Sequence, residues 1–326
     1  VLGDDGMTST RNPLITFNTG AVVEAVRSSG AEVAHFQHAP DIFGADGRMV
    51  RAAEALRDAG VRVVVTMHTV FTSWSGLIER RPFVRGFHRR LGEASHALIV
   101  HSEVSREILV SHGVSEGKVA VIAHGTDDPV RGDAAAGREL LGVPGDAEVV
   151  LFFGFIHMQK NIHVLVRALK SLVDRRPRAR LAVVGKVGGD AWYNHLYLRW
   201  LRRLAQRQGV SERLLVVDRF VADEEVPDVH AAAQVAALPH AQRYGSASGV
   251  VHGAMAMGLP MVCSDGAKFE EVGRHIDPSL LVPAHDPPAW SERLAALLSD
   301  DDLRERVRAR TEEYAEETRW PLVAEA

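Results

Sequence analysis

The segment EVVLFFGFIHMQKNIHVLVRAL, residues 148–169, carries the pattern that decides the fold. An apolar run ends at Gly154, and a loop of six residues follows it. A helix is expected to begin near Asn161, because apolar side chains then recur every three or four residues. Strand, loop and helix in this order predict one βα unit of a parallel sheet.

The same alternation of apolar runs and helical-period segments extends along the chain in both directions. Four strands are predicted in the first part of the chain, at 32–38, 62–68, 96–102 and 118–124. Helices are predicted around 48–59, 82–92 and 103–112, and a Trp/Tyr/Leu-rich helix at 192–208. Six strands are predicted in the second part, at 148–154, 180–185, 213–218, 235–239, 260–264 and 279–284. Near-continuous Val/Leu strands of this kind predict two Rossmann-like, doubly wound α/β domains, with a ligand cleft between them at the strand C-terminal ends.

A stretch rich in Gly, Pro and Asp at 125–137 interrupts the alternation and is interpreted as a linker. The predicted domains are therefore 1–130 and 131–302. Residues 303–326 are predicted to form a C-terminal helix that begins after an Asp cap and packs back on the N-terminal domain.

Composition excludes several classes of protein. Of 326 residues, 46% are hydrophobic and 25% charged, as in globular proteins. The 38 Lys and Arg residues against 42 Asp and Glu give a net charge of −4, so no global field attracts nucleic acid. The single cysteine, Cys263, lies in an apolar run and is expected to be a buried hydrophobe. With neither a secretory signal nor an apolar span of membrane length, the expected location is cytoplasmic.

Residues 80–91 form a predicted basic amphipathic helix. Its arginines lie on one face and its apolar residues on another: Arg81, Arg85 and Arg89 against Phe83, Phe87 and Leu91. A solvated helix that covers the first domain is the favoured interpretation. Peripheral contact with a membrane or an anionic acceptor is the alternative.

Two segments have the features of phosphate-binding sites. Lys160 stands at the N-terminus of the helix that follows Gly154, where free backbone N–H groups and the helix dipole favour an anion. The second segment, YGSASGVVHGAMAMGLP (244–260), places glycines and serines before another helix. Ser246 or Ser248 could cap that helix while glycines let backbone amides approach a ligand. A surface lysine and a purely structural cap are the competing interpretations.

These segments, with VIAHGTDD before the linker, resemble the retaining glycosyltransferases of family 4, which have the GT-B fold. The resemblance covers residues 30–326, and its most specific parts are 154–161 and 254–262. It implies transfer of a sugar from a nucleotide-diphosphate donor to an acceptor hydroxyl with retention of configuration and without an obligatory metal. It also implies an acceptor-side first domain and a donor-binding second domain. The family's first strand and Gly-rich loop have no counterpart before residue 32.

The resemblance also implies roles for individual residues. Lys160 matches the diphosphate-binding lysine, and His157 stands where one subgroup has an arginine. His68 matches a histidine near the donor sugar, so the implied catalytic residues are His68 and Lys160. The implied diphosphate site consists of Gly154, His157, Lys160, Asn161, Ser248 and Gly249.

The chain departs from the family at two acidic positions. The family commonly has two glutamates separated by seven residues, and alignment places them at Gly245 and Gly253. A branch with a serine–glycine pair at the loop lacks these acids, and this chain resembles it most. Residues expected near the donor sugar or nucleotide are Tyr244, Gly245, Ser246, His252, Glu270 and Glu271.

The resemblance thus implies a metal-independent, retaining hexosyltransferase without a cofactor. UDP is the favoured donor nucleotide, with GDP and dTDP as alternatives, and the acceptor is a small molecule or a glycan. A catalytically silent GT-B partner or sugar-binding subunit and a GT-B-like epimerase or phosphorylase are the alternative functions. His35 and His38 fall on opposite faces of a strand, which argues against a shared metal.

Overall fold

The structure is a computed structural model that describes residues 18–39, 47–71, 81–188, 192–241 and 245–326. The described chain divides into two compact units. The first unit takes the residues up to Ala123 together with 245–247, and the second takes the residues from His124 onward, apart from that short segment. The division at Ala123 falls earlier in the chain than the predicted boundary at residue 130.

The first unit is a four-stranded parallel sheet in the order β1-β2-β3-β4. Its strands are β1 (Val33–His38), β2 (Arg62–Met67), β3 (Ala97–Val100) and β4 (Val119–Val121). Its helices are α1 (Thr19–Ser29), α2 (Arg48–Asp58), α3 (Arg81–Ala94) and α4 (Glu103–Ser111). The predicted strands and helices of this half are confirmed to within a few residues at their ends.

Strand β1 contains the two histidines His35 and His38. Its side chains alternate between exposed and buried, so His35 points away from the core while His38 is only 1% exposed. The predicted separation of these two histidines is confirmed.

The second unit is a six-stranded parallel sheet in the order β10-β9-β8-β5-β6-β7. Its strands are β5 (Glu148–Phe153), β6 (Ala179–Val184), β7 (Leu214–Val217), β8 (Val235–Leu238), β9 (Met261–Ser264) and β10 (Leu281–Val282). Its helices are α5 (Ala134–Leu141), α6 (Ile162–Arg175), α7 (Trp192–Arg207), α8 (Val226–Ala231), α9 (Gly249–Ala256), α10 (Pro287–Ser299), α11 (Asp301–Glu317) and α12 (Trp320–Glu325). Strand β5 lies inside the sheet and is buried almost throughout, as a strand covered by helices on both faces should be.

Two predictions about local structure need correction. The linker predicted at 125–137 is too long, because α5 already begins at Ala134, where the Asp133 carboxylate accepts from the amides of Ala135 (2.8 Å) and Ala136 (3.3 Å). The strand predicted at 279–284 is reduced to β10, because a 3₁₀ turn occupies Pro278–Leu280.

The C-terminal helices α11 and α12 belong to the second unit. Asp300 caps α11 by accepting from the Leu303 amide at 2.8 Å, which confirms the predicted Asp cap. Val307, Tyr314 and Ala315 of α11 join the core of this unit. The predicted packing of 303–326 on the N-terminal domain stays a prediction.

Helix α3 corresponds to the predicted basic amphipathic helix at 80–91. Phe87 and Leu91 are buried in the core of the first unit, and only Phe83 of the three apolar residues is exposed. Two of the three apolar residues therefore pack inward, and Phe83 alone of them is left to support membrane contact through 80–91, which stays a prediction. None of the helices in the described ranges is both long and apolar enough to cross a membrane.

Candidate functional site

Basic side chains follow three neighbouring strands of the second unit. Lys160 follows β5, His240 follows β8, and Lys268 follows β9. Because these strands are adjacent and parallel, their C-terminal ends meet at the same edge of the sheet. The topology thus collects positive charge where ligands of doubly wound sheets bind.

Lys160 is partly buried, in a 3₁₀ turn, Met158–Lys160, that joins β5 to α6. Burial, and then the positive charge of Lys268, lower the pKa of Lys160 to about 8. Burial also lowers the pKa of Lys268, while Glu271 opposes this shift. In the described part of the chain no carboxylate lies within ion-pair distance of Lys160. Two ammonium groups held close together in this way favour an anionic ligand.

Two histidines adjoin the lysines. Burial and the nearby Lys160 lower the pKa of His157 to about 4. His240 is 1% exposed, and burial with the charges of Lys160 and Lys268 lowers its pKa to about 2. Both imidazoles are therefore neutral at pH 7 and can contribute hydrogen bonds but no charge.

The start of α6 differs from its prediction. Its backbone N–H groups were expected to be free for an anion, but the His163 amide donates to the Tyr197 hydroxyl at 3.2 Å. The Asn161 side chain is also engaged, since its amide donates to the Ala284 carbonyl at 2.5 Å, and its backbone is left-handed with φ 56°. The 3₁₀ turn displaces the helix start, so at this end the lysine side chain, and not the helix amides, is available to an anion.

The N-terminus of α9 was predicted to have a serine cap and free backbone amides. Ser248 occupies the N-cap position, but its side chain makes no capping hydrogen bond. The described residues provide no acceptor for the Gly249 amide. A Cβ built on Gly154 would lie 3.8 Å from Val250 Cγ2, so the N-terminus of α9 adjoins the loop that carries Lys160.

Gly245 and Ser246 belong to the first unit instead. Gly245 forms an antiparallel bridge with Val70, with N···O distances of 2.7 and 3.0 Å. A Cβ on Gly245 would lie 2.4 Å from Ser105 Oγ, so a side chain at this position would require Ser105 to move. Gly253 differs, because a Cβ there would meet nothing within 4 Å. Tyr244 lies outside the described residues.

His252 and Glu271 are buried against each other. His252 Nε2 lies 3.2 Å from Glu271 Oε2, and His252 Nδ1 lies 2.7 Å from Thr126 Oγ1. The His252 side chain is 2% exposed and that of Glu271 10%. These buried contacts connect α9 to Thr126 and Glu271. Glu270 makes an ion pair with Arg274 at 2.7 Å.

His68 lies in the first unit at the end of β2, within a chain of hydrogen bonds. Its Nδ1 is 3.3 Å from His101 Nε2, and His101 Nδ1 is 3.0 Å from the Ile122 carbonyl. That carbonyl can only accept, so His101 donates to it from Nδ1 and, when neutral, has an acceptor nitrogen facing His68 Nδ1. His68 Nε2 lies 2.8 Å from Gln37 Oε1, which also can only accept, so Gln37 and His101 compete for the single N–H of a neutral His68. Burial lowers the pKa of His68, and His35 adds to this shift.

Sequence reasoning missed Lys268 and His240. Both follow strands that the sequence predicted correctly, and a search for basic residues after each strand would have found them. Among the described residues no group of three His, Cys, Asp or Glu side chains could hold a metal ion, and the predicted metal independence remains a prediction.

Comparisons with known proteins agree on one family. Residues 6–128 match the family model described as Glycosyltransferase Family 4, and residues 147–300 match that of Glycosyl transferases group 1. A D-inositol 3-phosphate glycosyltransferase of Kribbella flavida is 30% identical over 315 residues, covering 85% of this chain and 73% of the relative. Another of the same name, from Xylanimonas cellulosilytica, is 32% identical over 281 residues, covering 82% of this chain. The chain spans 65% of the length of that relative.

Solved structures share the fold. HepE of Anabaena in complex with UDP-glucose superimposes with a TM-score of 0.76 at 19% identity, covering 94% of this chain and 80% of HepE. Sucrose-phosphate synthase of Thermosynechococcus elongatus superimposes with a TM-score of 0.73 at 21% identity, covering 94% of this chain and 74% of the synthase. With two parallel-sheet α/β domains in the chain, these likenesses confirm the predicted GT-B fold.

Proposed function

The chain belongs to the family 4 glycosyltransferases, and on that premise we propose that it transfers a hexosyl group from a nucleoside-diphosphate sugar to an acceptor hydroxyl with retention of configuration. The observation that carries the proposal is Lys160 with its lowered pKa beside Lys268, without a carboxylate partner for Lys160 in the described residues. A diphosphate would supply the negative charge that offsets the lowered pKa of Lys160.

UDP is the proposed donor nucleotide, because HepE is similar in fold and binds UDP-glucose. The proposed acceptor is a small polyol or sugar that carries a phosphate, as the names of the inositol 3-phosphate relatives suggest. No metal is assigned to the reaction, since the two lysines supply positive charge at the diphosphate.

The chemistry needs charge stabilisation at the leaving group. As the bond between the sugar and the diphosphate breaks, negative charge grows on the phosphate and oxocarbenium character on the sugar. Lys160 and the amide of Gly249 would stabilise that phosphate, while His157 would donate a hydrogen bond. The leaving phosphate oxygen then takes the proton of the acceptor hydroxyl on the same face, so no carboxylate nucleophile is required. His68 is the proposed catalytic residue toward the donor sugar.

Lys160→Ala tests the assignment most directly. Removing one preorganised donor costs about 2.7–4 kcal/mol, so kcat should fall roughly 10²–10³-fold. Lys170→Ala is the matched control, because Lys170 is exposed and lies farther along α6. A panel of UDP-, GDP- and dTDP-sugars with several acceptors, read by product NMR, gives the donor and the anomeric outcome.

Three outcomes would contradict the proposal. Full activity of Lys160→Ala would remove the lysine from the diphosphate site. An inverted product would refute retention. Saturable binding of a donor without turnover on any acceptor would favour the catalytically silent sugar-binding protein, in which the missing acids have ended catalysis.

A further inference from the structure

Helix α7 exposes a row of large apolar side chains. Trp192 is 72% exposed, Leu196 42% and Trp200 37%, and these residues are spaced four apart on one face. Tyr193, at 55%, lies beside them. The opposite face of the helix is buried, with Tyr197 and other residues in the core of the second unit. Large residues exposed together in this way mark an interaction surface.

A row of arginines runs alongside the apolar row. Arg199, Arg203 and Arg207 are also spaced four apart, and Arg202 adjoins them. The helix contains no acidic residue between Trp192 and Arg207. Within the part of the chain that the structure describes, none of these arginines makes an ion pair. The helix therefore presents unneutralised positive charge on a protein whose net charge is −4.

A hollow lies beside the C-terminal half of α7. It has a volume of about 390 Å³ and is lined by Arg202, Ala205, Ser211, Leu214 and Val216. Strand β7, which supplies two of these residues, is the edge of the sheet. An arginine at the rim of a hollow that is otherwise largely apolar suits an anionic group attached to an apolar chain.

We propose that this surface, termed the aromatic–arginine face (Trp192, Tyr193, Leu196, Arg199, Trp200, Arg202, Arg203 and Arg207), docks on an anionic lipid bilayer. Tryptophan and tyrosine settle at the boundary between headgroups and acyl chains, where their rings are apolar and their polar atoms are hydrated. The arginines then reach the phosphates of the headgroups.

Charge selects the bilayer over a protein partner. Protein interfaces are also rich in aromatic residues and arginine, so composition alone does not distinguish the two partners. What favours the bilayer is that this face carries charge of one sign along a whole helix. A bilayer of anionic lipids supplies a continuous negative surface that matches both rows at once. The proposed docking surface is separate from the proposed donor site, and it would place the proposed activity at a membrane surface.

Flotation of the full chain with vesicles tests the proposal. Binding is expected to phosphatidylcholine vesicles that contain phosphatidylglycerol, to be weak without phosphatidylglycerol, and to fall as salt is added. Arg199→Glu with Arg203→Glu should weaken binding at least roughly tenfold. Trp192→Ser with Trp200→Ser should weaken it at every salt concentration, because the apolar contribution is lost.

Matched controls separate this face from general effects of charge and exposure. Arg306→Glu with Arg310→Glu changes two exposed arginines with the same spacing on α11, and Phe220→Ser removes a side chain that is 68% exposed. Both controls should bind like the unaltered chain, and all variants should stay folded at the assay temperature and keep the unaltered UDP affinity. Lack of binding to phosphatidylglycerol vesicles, or equal binding by the face and control variants, would overturn the proposal. So would self-association in solution that the tryptophan variant abolishes, since the face would then be a protein contact.

Discussion

The two glycines that the resemblance aligns with the family's glutamates, Gly245 and Gly253, differ in the space around them. At Gly245 the Ser105 side chain of α4 occupies the space that a Cβ would need. At Gly253 a Cβ would meet nothing within 4 Å, so a side chain can begin there without a clash. A side chain at position 245 would therefore require Ser105 to move, whereas a Cβ at position 253 would not displace a neighbour.

Gly253→Glu should create discrimination for ribose. We expect the unaltered chain to bind UDP and 2′-deoxy-UDP with similar affinity, because no carboxylate at 253 contacts the ribose. A hydrogen bond from a ribose hydroxyl to the new carboxylate should favour UDP by roughly tenfold or more. Calorimetric titration of both nucleotides measures the ratio, with Gly253→Ala as a control that adds a Cβ but no charge. A strong preference for UDP in the unaltered chain would contradict this account.

Lys160 should take up a proton when UDP binds at alkaline pH. With its pKa near 8, Lys160 is largely neutral at pH 9, and a bound diphosphate raises the pKa by favouring the charged form. Net proton uptake is therefore expected near pH 9 and should vanish near pH 7, where Lys160 is already charged. Calorimetry in buffers of different ionisation enthalpy measures it. Uptake at pH 9 that persists in Lys160→Met would assign the proton to another group.

At the scale of elements, the sequence predicted the strands well and the start of α6 poorly. Parallel strands such as β5 are covered on both faces, so they appear as continuous apolar runs that can be read locally. The partner of the α6 amide is Tyr197, which lies 34 residues away from His163 along the chain. Contacts of this kind depend on the packing of α7 on α6, which no local pattern records. Lys268 and His240 each follow a strand that the sequence predicted, but that they lie beside Lys160 depends on the order of strands in the sheet, which the sequence does not give.

Tyr197→Phe should lower stability by about 1–3 kcal/mol, because it leaves the buried amide at the start of α6 without its acceptor. Tyr197 is only 2% exposed, so water cannot readily replace the hydroxyl. Urea unfolding measures the change. Tyr193→Phe removes an exposed hydroxyl from the same helix and should change stability by less than about 0.5 kcal/mol. Equal effects in the two variants would show that the hydroxyl of Tyr197 does not cap α6.

At the scale of the whole molecule, buried histidines should make stability depend on pH. Among the described residues the pKa of seven histidines is lowered, with burial as the first cause: His68, His88, His112, His157, His163, His230 and His240. The pKa of His88 falls to about 3 and that of His240 to about 2. Both units contain histidines with a lowered pKa, so the stability of each unit should depend on pH.

The sign of the effect follows from which state binds protons. Below the ordinary histidine pKa of 6.5 the unfolded chain binds protons that the buried histidines of the folded chain do not bind. The free energy of unfolding should therefore fall as the pH is lowered from 6.5. Each fully desolvated histidine contributes a slope of about 1.4 kcal/mol per pH unit. His240→Phe should reduce the slope between pH 6 and 4 by about this amount, because the side chain adjoins the rings of Phe152 and Phe269 and the described residues offer its nitrogens no hydrogen-bond partner. His195→Phe, on an exposed position of α7, is the control and should leave the slope unchanged. Unfolding free energies that stay constant from pH 6.5 to 4 would show that these histidines become protonated without unfolding the chain.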